Sequence, residues 1–205
     1  VFLGTSGWYD TKLGQTPSIF LETIKYNIIF DAGFGFAKAD RYINKNKPTF
    51  LFISHFHLDH ICGLHALPKF RFKQPLTILG PKDTPKILKS FINHPFTAAI
   101  KELPFKVTLK ELKARDYNKP FKFSCRELKH VDDDLGFRVE VDKKIITYCC
   151  DTGICRNDLI LAKNSDILIH ECSLLSGQKE VWGHANPEQV AKLAKKAKVK
   201  KLILT

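Results

Sequence analysis

The heptapeptide Ser54–His60, SHFHLDH, places three histidines and an aspartate directly after the apolar run Phe50-Leu51-Phe52-Ile53. Imidazole nitrogens and carboxylate oxygens are the donors that divalent ions such as zinc select. Side chains alternate across a strand, so His55 and His57 are expected to face the same way and hold one ion. Asp59 and His60, where the chain turns into the next helix, would offer an oxygen and a nitrogen to a second. Without a cation, so many polar groups at the end of an apolar strand would cost desolvation free energy. The competing reading is a histidine-rich exposed loop, or a cluster satisfied by hydrogen bonds. Half of the eight histidines fall between 55 and 65, a concentration that favours the metal.

The elements that would position these groups can be read from pattern. Residues 1–35 alternate short apolar runs with Gly, Asp and Pro, as consecutive antiparallel strands do. NIIFDAG predicts a strand ending in a tight turn at Gly33. Residues 36–47 suit a helix, 48–53 a strand that delivers the histidines, and DHICGLHALPKF a helix stopped by Pro68. A strand over 76–81 and a helix over 83–94 follow, the latter with Asp83 or Thr84 as cap. From 105 to 150 the pattern is again β. Then come a helix over 156–163, a strand over 166–171, a loop with Trp182, Gly183 and His184, a helix over 187–197 and a strand over 199–205. Asn186-Pro187 predicts a helix start with an Asx cap and Pro in the first turn. Two sheets packed face to face with helices outside would suit this order.

The chain has 205 residues, 44 % of them apolar, enough to bury a sizeable core as one globular domain over 1–205. No apolar run reaches membrane-spanning length and no basic-then-apolar leader opens the chain, so a cytoplasmic protein without a membrane partner is expected. The absence of Met and the ending LILT suggest a chain cut at both ends. The six cysteines form no CxxC unit and several lie in apolar runs, as reduced core thiols do, with Cys149-Cys150 the one pair to check for metal or redox chemistry. With 33 Lys and Arg against 21 Asp and Glu, the net charge of +12 favours polyanionic partners. A homo-oligomer is compatible with this composition. Six lysines between 192 and 201 have a plainer explanation, a solvated helix exterior.

HFHLDH (55–60) resembles the HxHxDH signature of the metallo-β-lactamase superfamily, and SHFHLDHICGLHAL is similar to its branch of ribonuclease Z and related phosphodiesterases. FLGTSGW, FDAG, KHVDDDLGF, CCDTG, IHECS and GHANPEQVAKLAKKAKVKKLILT follow in that family's order. The resemblance implies an α/β fold, the metallo-β-lactamase-like four-layer αββα sandwich of two packed mixed β-sheets. It implies two divalent ions, zinc by default with manganese or iron as alternatives. His55, His57 and His130 would bind one, Asp59 and His60 the other, and Asp151 would bridge them. The family's last ligand, a histidine directly after a strand like LILT, would be residue 206.

The implied activity is hydrolysis of an RNA end or of a small or cyclic phosphodiester by a metal-activated hydroxide. By the same resemblance, His184, oriented by Glu171, would protonate the leaving group and Asp59 would steer the proton of the attacking water. Phe137, in the family's Gly-aromatic pair after the third histidine, would line the substrate cleft. The chain departs from the branch at Ala185-Asn186, where the family has Ser-Thr after the relay histidine. It also has only twenty residues between His130 and Asp151, too few for the long tRNA-holding arm of ribonuclease Z. Two alternatives stay open: a superfamily hydrolase of an ester, lactone or thioester, and a catalytically silent nucleic-acid-binding protein.

Overall fold

The computed structural model describes residues 1–205, which divide into two compact units, Val1–Leu112 and Lys113–Thr205. The first holds a six-stranded mixed sheet in chain order: β1 (Phe2–Gly4), β2 (Ser18–Glu22), β3 (Asn27–Phe30), β4 (Thr49–Phe52), β5 (Leu76–Gly80) and β6 (Val107–Glu111). The first three strands pair antiparallel, as the punctuation of residues 1–35 predicts, and β3 to β6 run parallel. Parallel strands covered on both faces read as continuous apolar runs, which is why NIIF and TFLF are buried at every position. Ile28, Ile29, Phe30, Leu51, Phe52 and Ile53 have no solvent exposure. Each contributes roughly 1.5–3 kcal/mol of burial, so the end of β4 is a firm platform for the residues after it.

The second unit holds another mixed sheet, ordered β12-β11-β10-β9-β8-β7, from β7 (Asp116–Tyr117), β8 (Lys122–Glu127), β9 (Leu135–Val141), β10 (Lys144–Cys149), β11 (Ile167–His170) and β12 (Lys201–Leu204). Strands β7 to β10 are antiparallel and β10 to β12 parallel. The segment between His130 and Asp151 is taken up by the β9–β10 hairpin. Its two-residue turn, Asp142-Lys143, has both φ angles positive (48° and 60°), as a tight turn matched to strand twist requires. No arm projects from this segment.

The helices are α1 (Leu58–Ile61), α2 (Thr84–Phe91), α3 (Arg156–Ala162) and α4 (Pro187–Lys196). Two expected helices differ. Residues Phe34–Arg41 form a 3₁₀ segment rather than a helix over 36–47, and the helix expected up to Pro68 is one α-turn followed by a 3₁₀ stretch, Cys62–Lys69, that contains Pro68. The cause lies in tertiary hydrogen bonds. Gly63 N donates to Ala32 O (2.8 Å) and Ala32 N donates to His60 O (2.8 Å), so the amide and carbonyl that would continue the helix ladder are spent on the FDAG turn. A Cβ on Gly63 would lie 2.0 Å from Gly33 O, so only glycine permits this approach. Asp83 makes no side-chain cap to α2, whereas Asn186 caps α4 as predicted, its Oδ1 accepting from Gln189 N (2.9 Å).

All six cysteines are free, and Cys125, Cys149 and Cys150 are buried. Burial, with Asp158 nearby, pushes the Cys149 thiol well up, so it stays protonated. Asp158 is itself fully buried: Oδ2 accepts from Cys155 N (2.8 Å) at the start of α3, and Oδ1 has no hydrogen-bond partner. Desolvation raises its pKa from 3.8 to about 6. The native state therefore binds more protons than the unfolded chain between those values, and stability falls as pH rises through that window. The cost is absent below about pH 4 and complete above about pH 6, on the order of 3 kcal/mol. Asp158→Asn is expected to stabilise the fold by roughly 1–3 kcal/mol at about pH 7.5 and by little at about pH 4.5. Thermal melts of both proteins at the two pH values check this; equal shifts at both would contradict it.

Candidate metal and proton-relay residues

In the first unit the ligand-type residues follow β4 in extended chain and in α1, one step beyond the strand that was expected to carry His55 and His57. His55 and His60 are fully buried; His57 and Asp59 are partly exposed. The His55 ring centroid lies 4.5 Å from that of His57 and 4.2 Å from that of His60. The ligand nitrogens of His55 and His57 are within 4.8 Å of one another. His60 Nε2 is 3.4 Å from Asp59 Oδ2, and that oxygen also accepts from Trp8 N (2.8 Å).

Asp31 organises this cluster. It is fully buried and sits at φ 56° in the turn after β3, a left-handed position that Asp tolerates better than most residues. Its Oδ1 accepts from Ser54 N (2.7 Å), and its Oδ2 from Ser54 Oγ (2.9 Å) and His60 Nδ1 (2.9 Å). Ser54 Oγ, its proton given to Asp31, accepts from His55 Nδ1 (3.0 Å). Protons are thus placed on Nδ1 of both His55 and His60, and Nε2 carries the lone pair in each. Metal-binding histidines have this arrangement, with the far nitrogen donating to a carboxylate or hydroxyl. The donor types and tautomers therefore fit a divalent cation. Sequence reading took FDAG only as a tight turn and missed this role, because the pairing of Asp31 with residues more than twenty positions on leaves no local signal.

In the second unit, Lys129 N donates to Thr152 Oγ1 (3.1 Å) and Gly153 N to Lys129 O (2.9 Å), which ties the His130 loop to the Asp151 turn. Ligand atoms of His130 and Asp151 lie within 4.8 Å of each other. Cys150 Sγ contacts Asp151 Oδ1 at 3.4 Å, so the cysteine singled out in sequence touches a candidate ligand directly. Gly183, at φ +75°, lies against the same loop: a Cβ there would be 2.5 Å from Lys129 O and 2.7 Å from His130 Cα. This close approach brings His184 beside His130, ring centroids 5.4 Å apart.

Glu171, buried after β11, holds the other side of His184. Its Oε1 accepts from Ala185 N (2.6 Å) and lies 3.5 Å from His184 Nδ1, while Oε2 accepts from Ser173 N and Ser173 Oγ (both 2.7 Å). The carboxylate is both bonded to backbone and positioned against the histidine. The Ala185-Asn186 departure fits here: Ala185 supplies a backbone donor to Glu171 and Asn186 starts α4.

Phe137 overturns an expectation. It is fully buried in β9, paired with Tyr148 and Cys125, so it presents no surface to a substrate. An aromatic at an inward position of a central strand has that fate by register alone. Asp134 is also buried, whereas Asp132 and Asp133 are exposed as an acidic turn would be. His170 is buried with Nδ1 against Glu171 O (2.8 Å), and burial lowers its pKa, so it remains neutral and packs. His65 and His94 are exposed and bonded to Cys62 O and Glu102. No helix is long and apolar enough to cross a membrane.

Comparison with known proteins agrees with this chemistry. The beta-lactamase superfamily domain family matches residues 26–205, through both units. Ribonuclease Z of Staphylococcus haemolyticus is 27 % identical over 268 aligned positions, covering all of this chain and 86 % of the relative. More positions are aligned than this chain has residues, so the relative carries segments with no counterpart here. Among solved structures, the short form of human tRNase Z superposes with a TM-score of 0.84 at 25 % identity, covering all of this chain and 91 % of that one. The metallo-beta-lactamase fold protein YhfI from Bacillus subtilis gives 0.80 at 20 % identity, covering all of this chain and 84 % of that one.

Proposed function

The chain belongs to the beta-lactamase superfamily, and from that membership we propose that it is a metal-dependent phosphodiesterase acting on RNA ends or small phosphodiesters, built as one metallo-β-lactamase-like domain from both units. The ligands in this reading are His55, His57 and His130 for one ion, Asp59 and His60 for the other, and Asp151 as the bridge. Support comes from within each unit: His55 and His60 present Nε2 lone pairs, and His130 is held beside Asp151. Histidine and aspartate donors suit zinc, and manganese or iron would also be accepted. Bound ions would supply Lewis-acid polarisation of a phosphoryl oxygen and a hydroxide nucleophile at neutral pH.

The protein's own residues account for the rest. His184 holds a proton for the departing alkoxide and Glu171 fixes its ring, with Nδ1 toward the carboxylate. Asp59, whose Oδ2 accepts from Trp8 N, would take a proton from the attacking water in this reading. The Glu171–His184 pair is the observation that carries the phosphodiesterase reading, since a held proton matters most when the leaving group is a poor one. The name of the relative, Ribonuclease Z, points to the same substrate class. The short β9–β10 hairpin offers no arm for a tRNA elbow, which favours RNA ends or small diesters gripped by other means.

The test is hydrolysis of bis(p-nitrophenyl) phosphate by metal-stripped protein, before and after reloading with zinc or manganese. Turnover is expected only after reloading. Loaded protein that cleaves p-nitrophenyl acetate or a thioester but no phosphodiester would move the assignment to the ester class, and RNA binding with no turnover of any kind would make it a silent binding protein.

A further inference from the structure

Helix α4 leaves the proposed relay directly: Asn186, two residues after His184, is its cap, and Val190, Leu193 and Ala194 bury its inner face. Its outer face and the chain after it carry Lys192, Lys195, Lys196, Lys198, Lys200 and Lys201, all exposed, and from Pro187 to Thr205 the only acid is Glu188. Lys192 has Glu188 one turn away, and Lys200 is paired with Asp166 (2.8 Å). Lys195, Lys196, Lys198 and Lys201 enter no ion pair. A helix dipole favours cations in the last turn, which accounts for Lys195 and Lys196. Lys198 and Lys201 lie beyond the helix and draw nothing from it. Like charges this close repel one another, a cost that a bound polyanion would reverse.

We infer that this lysine ridge grips the phosphate backbone of an RNA whose cleaved end lies at His184. The cleaved end at His184 rests on the phosphodiesterase reading, while the ridge's affinity for RNA stands apart from it. Lys192 stands six residues past the Asn186 cap, about 9 Å along the axis of α4, and the other lysines lie beyond it, so the ridge meets phosphates a few nucleotides away from the relay. A folded tRNA elbow is not required, because every phosphate offers the same charge. A mononucleotide or cyclic diester would not reach the ridge, so the ridge selects chains over small diesters.

The test compares wild type with the triple variant Lys195→Glu, Lys196→Glu, Lys198→Glu. The charge-matched control is Lys82→Glu, Lys86→Glu, Lys89→Glu, exposed positions on and beside α2. Binding of a fluorescein-labelled RNA of about 20 nucleotides is followed by anisotropy between about 50 and 200 mM salt, beside hydrolysis of bis(p-nitrophenyl) phosphate. The ridge variant is expected to bind RNA at least about tenfold more weakly, with a salt slope shallower by about 2, and to hydrolyse the small diester within about twofold of wild type. An unchanged slope, or an equal loss in the α2 control, would overturn the proposal and return the ridge to a solvated face. Weakened RNA binding in a protein that hydrolyses no diester would leave the ridge standing and remove the phosphodiesterase reading instead. If the Glu variant melts early, Lys→Gln at the same three positions is read by the same slope.

Discussion

Alanine in place of His57 is expected to lower metal-dependent hydrolysis of bis(p-nitrophenyl) phosphate by roughly a thousandfold or more, about 4 kcal/mol of transition-state stabilisation. His57 is partly exposed and packs no core, so the fold should survive and the loss should track bound metal. Metal analysis of the purified variant gives the second readout, with a substoichiometric content expected. Asp31→Asn makes a graded comparison. Asparagine keeps the shape, but its amide replaces one of the acceptor oxygens that set Nδ1 of His60 and, through Ser54, Nδ1 of His55. Metal affinity should fall by about 10- to 100-fold, the usual size of an effect exerted through a ligand's hydrogen-bonding partner. A His57→Ala protein with full metal content and full turnover would remove this residue from the ligand set.

The second large effect concerns His184. On a dinucleotide, whose leaving group is a sugar alkoxide, His184→Ala is expected to reduce kcat by about 10²- to 10⁴-fold, the range for losing a positioned general acid. On bis(p-nitrophenyl) phosphate, whose phenolate departs without a proton, the loss should stay below about tenfold. Glu171→Gln should show the same dependence on leaving group at smaller amplitude, because Glu171 acts through the histidine. It also holds Ala185 N and both donors of Ser173, so a purely structural role would lower both substrates equally. Equal losses on the two substrates would therefore take the proton-donor role away from the pair.

Residue types and their spacing determined which side chains could do chemistry. Three imidazoles and a carboxylate after an apolar strand are legible without coordinates, because few other arrangements make that cost tolerable. The order of strands and helices was legible too, since buried parallel strands and capped helices leave local marks such as NIIF, TFLF and Asn186-Pro187. Long-range pairing left no such mark. That His55 and His60 carry their protons on Nδ1 follows from Asp31, more than twenty residues away in sequence, and from Ser54 between them. The interruption of the helix after Ile61 follows from Ala32, whose carbonyl accepts from Gly63 N and whose amide donates to His60 O, and this outweighs the local helical pattern. Phe137 followed a family position in sequence, yet strand register turned it inward. Nothing in the local sequence marks Asp158; packing around α3 removes its water and raises its pKa. Sequence chose the donors and the elements; tertiary packing chose their orientation, their protonation and which of them meet solvent, because those depend on neighbours that the chain brings together only when folded.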